Sequence, residues 1–332
     1  MRRVLVPLAI SPLLPPQGAV VRTLAGRSMG TGWSASVVLA PAAAAPLGAL
    51  QALLDNVVAQ MSHWEAGTDL ARFNQAPAGA WVRLPAEFFY VLRYALALAR
   101  DSGGAYDPCA GALVRRWGFG ASARHDQPGF QAPSEAEIGA LLAEPGWREV
   151  QLDGATGSAL QPGGVQLDLS SVAKGFAVDQ LAHGLEARGI HHYLVEAGGE
   201  LRGAGVKPDG QPWWVQLEDV PEHAGIPTVA ALHGMSLATS GDYRSFFERG
   251  GQRLPHTLDP RGGHPIANQI ASVSVLHSEC MAADAISTAL SVLGPEQGLA
   301  FAEARGVAAR FLVRRDGGLD EICSSAFSGL LQ

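Results

Sequence analysis

The chain has 332 residues, 47% of them hydrophobic and 17% charged, with a formal net charge of −7 and a pI near 5.8. This is ordinary globular composition, enough for one large domain or two modest ones. The acidic balance argues against a nucleic-acid surface, which needs clustered Lys and Arg, and the three scattered cysteines, Cys109, Cys280 and Cys323, argue against a disulfide framework or a cysteine-rich zinc site.

The first ten residues carry two arginines and an apolar run, like the start of an export signal. Pro7, Pro12, Pro15 and Pro16 interrupt that pattern, no Ala-x-Ala site is evident, and no cysteine follows for lipidation. Residues 1–19 therefore read as an N-terminal segment, a weak signal or a disordered start, ahead of a single domain over 20–332. No window reaches the ~18 apolar residues of a membrane span.

Residues 20–39 read as two short strands around a glycine-rich turn at 26–32. Leu50, Leu53, Leu54, Val57, Val58 and Met61 share one face of a helix over 46–61. Pro85 opens a second helix, with Phe88, Leu92 and Leu96 on one side, and Gly103-Gly104 stops it. Ser134 and Glu137 form a capping box before a third. Strands are expected at 149–152 and 164–169, then a helix over 171–188 closed by Gly189. Further strands follow at 192–196, 213–217, 229–237 and 272–277. Helices are expected at 279–293 and 296–305, and a last strand at 307–313 before an Asp316-Gly-Gly turn. Strands and helices interleave without a regular β-α-β period. This predicts a mixed α/β (α+β) fold with largely antiparallel sheet, and residues 118–133 read as a loop excursion. Glycine is 40 of 332 residues, about 12% against a usual ~7%, so many tight turns and close backbone approaches are expected.

Several stretches carry more chemistry than a core needs. Residues 236–265 hold hydroxyls, acids, basic side chains (among them Arg244, Arg253 and Arg261) and His256 between sharp turn signals, as a loop binding a charged small molecule would. Arg253 and Arg261, near His256, favour a phosphate contact. Gly30-Thr-Gly32 matches a relaxed dinucleotide fingerprint, but a strand pattern follows it rather than a helix, which leaves a glycine hairpin. Ser171-Val-Ala-Lys174 is an S-x-x-K tetrad of the kind found in serine acyl enzymes, but no K-T-G strand accompanies it. A plain helix cap is the simplest alternative. A third reading has Asp168 and Lys174 flanking a helix N-terminus that favours an anion such as a pyrophosphate. Asp284, Ser287 and Thr288 share one helix face. Their oxygens suit Mg²⁺ or Ca²⁺, although such a triplet is more often a solvated face. Trp64, Tyr106 and Trp117 are candidates to stack on a ring system. The histidines show no zinc spacing.

Taken together, eight motifs in order resemble the FAD:protein FMN transferase family, the ApbE-like flavin transferases. They are Met29-Gly-Thr; Met61-Ser-His-Trp64 with Thr68-Asp-Leu-Ala-Arg-Phe-Asn74; Gly104-Ala-Tyr-Asp107-Pro with Trp117-Gly-Phe-Gly; Leu167-Asp-Leu-Ser-Ser-Val-Ala-Lys-Gly-Phe-Ala177; Glu196-Ala-Gly-Gly-Glu200; Thr239-Ser-Gly-Asp-Tyr243; His256-Thr-Leu-Asp-Pro260; and Ala283-Asp-Ala-Ile-Ser-Thr288. The resemblance implies a Mg²⁺-dependent transfer of FMN from FAD to a threonine hydroxyl of an acceptor flavoprotein, with release of AMP. It implies Met29, Trp64, Ala105, Tyr106, Asp107, Asp168, Lys174 and Leu258 as FAD contacts. Ser171, through its carbonyl, would join Asp284, Ser287 and Thr288 at the metal. His256 would lie near the pyrophosphate, with His256 or Asp284 as the base. Two departures stand out. Ser170 and Ser171 replace glycines common in relatives. Ser287 stands where some relatives carry a second aspartate, which predicts weaker Mg²⁺ binding or reliance on the FAD phosphates. Relatives are usually periplasmic or anchored at the inner membrane, a location the N-terminus does not support. The alternatives are a Mg²⁺-dependent FAD pyrophosphatase, a non-catalytic flavin-binding or delivery protein, and an acyl enzyme at Ser171.

Overall fold

The computed structural model describes residues 3–10, 13–122, 124–220, 225–243, 245–316 and 318–332. Met1, Arg2, Pro12, Arg244 and Gly317, which figure in the sequence reading, lie outside them. At the centre is an eight-stranded sheet in the order Gly318–Cys323, Ala308–Arg315, Ile270–His277, Met235–Gly241, Glu200–Ala204, Tyr193–Ala197, Thr31–Leu39 and Val20–Ser28. Every neighbouring pair is antiparallel, as the mixed α/β reading predicts. Alternation along the strands feeds two cores. Ala35, Val37, Val195, Ala238, Val273 and Val275 face the helices Leu47–Met61, Ala173–Glu186 and Cys280–Arg305. Leu237 and Leu276 point the other way, onto Leu5, Leu232 and Phe327. That second face is covered by a small sheet of Arg3–Leu5, Thr228–Leu232 and Trp213–Gln216. Arg3–Leu5 falls in the stretch set apart as an N-terminal segment, yet it pairs in parallel with 228–230, and Arg3 is ion-paired to Glu321.

Local signals account for much of this layout. The Val20–Ser28 and Thr31–Leu39 strands turn on two residues, Met29 at φ 50° and Gly30 at φ 73°, the left-handed pair that matches the twist of a hairpin. The Ser134–Glu137 capping box forms as expected. The two helices expected at 279–293 and 296–305 are both present: they run on as Cys280–Arg305 and are separated by the non-helical Gly294 (φ 79°, ψ 178°) just before Pro295.

Two strand expectations fail for identifiable reasons, and the one at 149–152 shrinks to Leu152–Asp153. Residues 164–169 alternate like a strand but make no ladder beyond the single bridge of Gln166 to Ala110. Side chains satisfy the backbone there instead: Asn74 Oδ1 accepts from Leu167 N at 2.7 Å, and Asn74 Nδ2 donates to Leu167 O at 3.0 Å. Residues 229–237, read as one strand, are two. His233-Gly234 separates Thr228–Leu232 in the small sheet from Met235–Gly241 in the large one.

The Ala173–Glu186 and Cys280–Arg305 helices meet at Gly175. A Cβ there would lie 2.4 Å from the Cys280 carbonyl oxygen and 2.8 Å from Asp284 Cβ. The glycine is thus what lets the two helices close on each other. Gly175→Ala is expected to destabilise the protein by about 1–3 kcal/mol, the usual cost of forcing atoms into a filled core. Denaturant unfolding measures this, and an unchanged midpoint would contradict it.

Candidate functional site

Where those helices meet the sheet, a cleft of about 360 Å³ opens. Its floor is built from Asp168, Ser170, Ser171 and Lys174 at the start of one helix, Asp284 and Thr288 on the other, and Glu200, Thr239 and Ser240 from the sheet. Its walls carry Trp64, Ala105, Tyr106, Asp107, Phe119, His256 and Leu258. The structure therefore brings together residues far apart in sequence, including nearly all the predicted ones. Two are not on the cleft surface. Met29 sits at its hairpin turn, packed against the main core. Ser287 is fully buried behind Asp284.

Asp284 organises the floor. Its side chain is almost wholly buried, and Oδ2 accepts from Gly175 N at 2.9 Å. The Ala173–Glu186 helix has Val172 as its N-cap and no side-chain cap of its own. The carboxylate from the neighbouring helix therefore does the work that a Ser or Asp N-cap would do, at the positive end of the helix dipole. Ser171, read as a possible cap, instead donates its hydroxyl to Tyr106 Oη at 3.3 Å. Asp168 Oδ1 accepts from Ser170 N at 2.8 Å and from Ser170 Oγ at 2.6 Å, which fixes the turn into the helix.

Lys174 follows directly and pairs with Glu200, so its ammonium does not serve Ser171 as an S-x-x-K base would. Burial works against the Lys174 charge, but Asp284 and Glu200 outweigh it and hold the pKa above the ordinary value. Burial pushes Glu200 up to about 7, Lys174 pulls it back, and Asp284 adds to the rise. Burial likewise raises Asp284, against the pull of Lys174 and the Gly175 N–H. Glu200 Oε2 is buried without a hydrogen-bond partner. Two carboxylates thus share one ammonium in a desolvated corner, an arrangement short of positive charge.

This is the observation that bears on a metal. No group of three or more His, Cys, Asp or Glu side chains is gathered for one among the described residues, but the predicted donors are one carboxylate and three hydroxyl-bearing residues. The hydroxyls do converge: Ser240 Oγ lies 2.9 Å from Ser287 Oγ and 3.1 Å from Thr288 Oγ1. Hard oxygens beside a carboxylate in a charge-deficient corner fit a divalent cation such as Mg²⁺.

His256 opens onto the cleft, with Nδ1 3.1 Å from the Ser245 carbonyl oxygen. Its ring meets Phe119 edge-on at 6.2 Å. His256 keeps an exposed face, yet desolvation by the surrounding protein lowers its pKa, and the Lys174 charge adds to that effect. Asp107 accepts from Cys109 N at 2.7 Å, and burial pushes its carboxyl up to about 6. Trp64 is 52% exposed, its indole 5.1 Å from the His63 ring. His63 Nδ1 is 3.5 Å from Asp168 Oδ1. Arg253 and Arg261, read as phosphate contacts, are not part of this cleft's lining. Arg261 donates to Asp259 through Nε and Nη2, each at 2.8 Å, and Arg253 lies 3.9 Å from Asp242 and over the Phe246 ring. Each sits beside an acid within its own loop system. Trp117 is buried, with its N–H on the Gly263 carbonyl at 2.7 Å, so it is a core residue.

Glu200, Ser240 and His63 fall within the motifs that carry the resemblance but were given no role of their own. Glu200 had a signal, a carboxylate opening a strand straight after Gly198-Gly199. Ser240 gave only a hydroxyl in an alternating strand, and His63 only its place beside Trp64.

Relatives share this architecture. A flavin transferase from Vibrio cholerae named FAD:protein FMN transferase is 36% identical over 312 residues, covering 93% of this chain and 92% of the relative. One of the same name from Haemophilus influenzae is 38% identical, covering 85% and 82%. The crystal structure of the apo Pseudomonas stutzeri flavinyl transferase ApbE superposes with a TM-score of 0.86 at 38% identity, covering 94% of this chain and 97% of that one. The ApbE family model matches residues 29–311, and the chain belongs to the ApbE family.

Proposed function

We propose that the protein transfers FMN from FAD to a threonine hydroxyl of an acceptor flavoprotein, with Mg²⁺ and with release of AMP. The carrying observation is the corner where Lys174, Asp284 and the convergent hydroxyls face His256 across one cleft. Splitting a pyrophosphate calls for charge neutralisation and positioning more than for covalent catalysis. Lys174 supplies a fixed ammonium to the phosphates. Mg²⁺, when bound, supplies further neutralisation of the phosphate oxygens. Trp64, Tyr106 and Leu258 offer the flat and apolar surface that a flavin dinucleotide needs.

His256 is the base. A carbonyl oxygen can only accept, so the contact to Ser245 places the ring proton on Nδ1 and leaves the Nε2 lone pair free. The threonine Oγ attacks the FMN phosphorus as its proton passes to His256, the bond to the bridging oxygen breaks, and AMP leaves with that oxygen. Asp284, tied to Gly175 N–H, is poorly placed to accept this proton and serves charge instead.

Incubating the protein with FAD, Mg²⁺ and a flavin-acceptor domain, then weighing the acceptor by mass spectrometry, tests the reading. An acceptor carrying one ester-linked FMN is the expected product. Free FMN and AMP formed equally well without acceptor would point to a pyrophosphatase, and FAD bound without turnover to a delivery protein.

Three outcomes are expected of variants. His256→Ala should slow transfer by about 10²–10³-fold, the usual worth of a positioned base, while FAD binding changes little. Asp284→Asn, which keeps an acceptor for Gly175 N–H but removes the charge, should abolish the Mg²⁺ dependence without unfolding the protein. The pH–rate profile should also show an acid limb. Because the cleft lowers the His256 pKa, the base is already free at neutral pH, and the rate should fall only below the ordinary histidine value of ~6.5. Loss of that limb in His256→Ala confirms the assignment; its persistence would remove His256 from the role.

A further inference from the structure

Four carboxylates line the cleft: Asp107, Asp168, Glu200 and Asp284. Asp107 is engaged by the Cys109 N–H, and Asp168 by Ser170 and His63. Glu200 and Asp284 remain as the acids around Lys174, which is the one lysine or arginine among the described residues of the lining. From the Cys280–Arg305 helix, Asp284 is the sole charge that reaches the cleft. Ser287, one turn on, is neutral, fully buried and already committed. It donates to the Asp284 carbonyl oxygen at 2.8 Å and meets Ser240 Oγ at 2.9 Å.

Glu200 comes from the opposite side, at the first residue of its strand, and is 4% exposed. One oxygen pairs with Lys174 and the other has no partner. Gly198, at φ 66°, packs closely against it. A Cβ there would lie 3.3 Å from Glu200 Oε2 and 3.4 Å from Lys174 Cδ. A chain that merely needed to park Lys174 could do so with one carboxylate, and Asp284 is already beside it. A second buried acid, half unsatisfied, is costly unless more positive charge arrives.

We propose that Glu200 supplies the second negative charge of the divalent-cation and phosphate centre. The proposal rests on the reading of this cleft as a Mg²⁺ and FAD site. Glu200 acts here as a positioning residue. It sets the field that draws the cation beside Asp284, without itself touching the reacting atoms.

This role has a signature that a simple tether for Lys174 lacks. Removing the Glu200 charge makes the corner more positive. Cation binding should then weaken, while binding of anionic FAD without metal should stay the same or tighten. A tether role predicts the reverse, because a loosened Lys174 costs FAD affinity and leaves the cation indifferent.

The test uses the full chain, with Mn²⁺ as the cation probe titrated by calorimetry, with and without FAD, and FAD affinity without metal measured by flavin fluorescence. Glu200→Gln should weaken Mn²⁺ binding about tenfold, the worth of roughly 1.4 kcal/mol, and should not weaken metal-free FAD binding. Glu200→Asp, which keeps the charge on a shorter arm, should stay much closer to wild type than Glu200→Gln, and it carries the test if Glu200→Gln does not fold. Unchanged Mn²⁺ affinity in Glu200→Gln, weaker metal-free FAD binding with Mn²⁺ unaffected, or Glu200→Asp as impaired as Glu200→Gln would each overturn the proposal. A wild-type protein that binds Mn²⁺ but not FAD would instead overturn the FAD reading and leave the role of Glu200 toward the cation standing.

Discussion

One hydrogen bond holds the site together: the Asp284 carboxylate accepting from Gly175 N. It caps a helix that lacks a cap of its own, and it crosses between two helices that touch only because residue 175 has no side chain. Structure and chemistry thus rest on the same atoms. The contact that closes the core also fixes a buried negative charge at a helix N-terminus, with Lys174 as the next residue along. A shift of either helix would move the carboxylate, the ammonium and the hydroxyls of Ser240 and Thr288 together.

The electrostatics of that corner follow from burial. Two acids and one ammonium out of water are not a neutral set. Burial raises both carboxyls, while their joint field keeps Lys174 charged. A charged network left incomplete in this way is expensive for a protein to keep as a pure scaffold. It is economical as a receptor, since an incoming cation and a diphosphate complete it together. The helix start contributes less to anion binding than a free N-terminus would, because one of its N–H groups already serves Asp284.

Much of this was legible in the sequence where a local rule governs. Helical faces over 46–61 and 85–101, the Ser134–Glu137 box and the glycine hairpin at 29–30 are set by period, capping and turn chemistry, and the structure keeps them. Residues 164–169 misled because alternation cannot say whether a ladder or the Asn74 side chain will satisfy the backbone. The strand at 229–237 misled because a single Gly-marked break moves the chain from one sheet to another. At the site, resemblance pointed to residues and geometry assigned their partners. Arg253 and Arg261 show the limit of composition: a sequence shows basic side chains in a loop, and only the fold shows the acid that each one neighbours. Glu200 shows the converse: its charge matters through Lys174 and Asp284, and no spacing in the sequence links those three.

The central claim is that Asp284 joins the helix start, the cation and the phosphates into one unit. Linkage makes this measurable, because a cation and a dinucleotide that share a centre must each tighten the binding of the other. The direct measurement is FAD affinity with and without Mg²⁺, in the wild-type protein and in Asp284→Asn. Mg²⁺ should strengthen FAD binding in the wild type and have little effect in the variant. An equal Mg²⁺ enhancement in both would contradict the account.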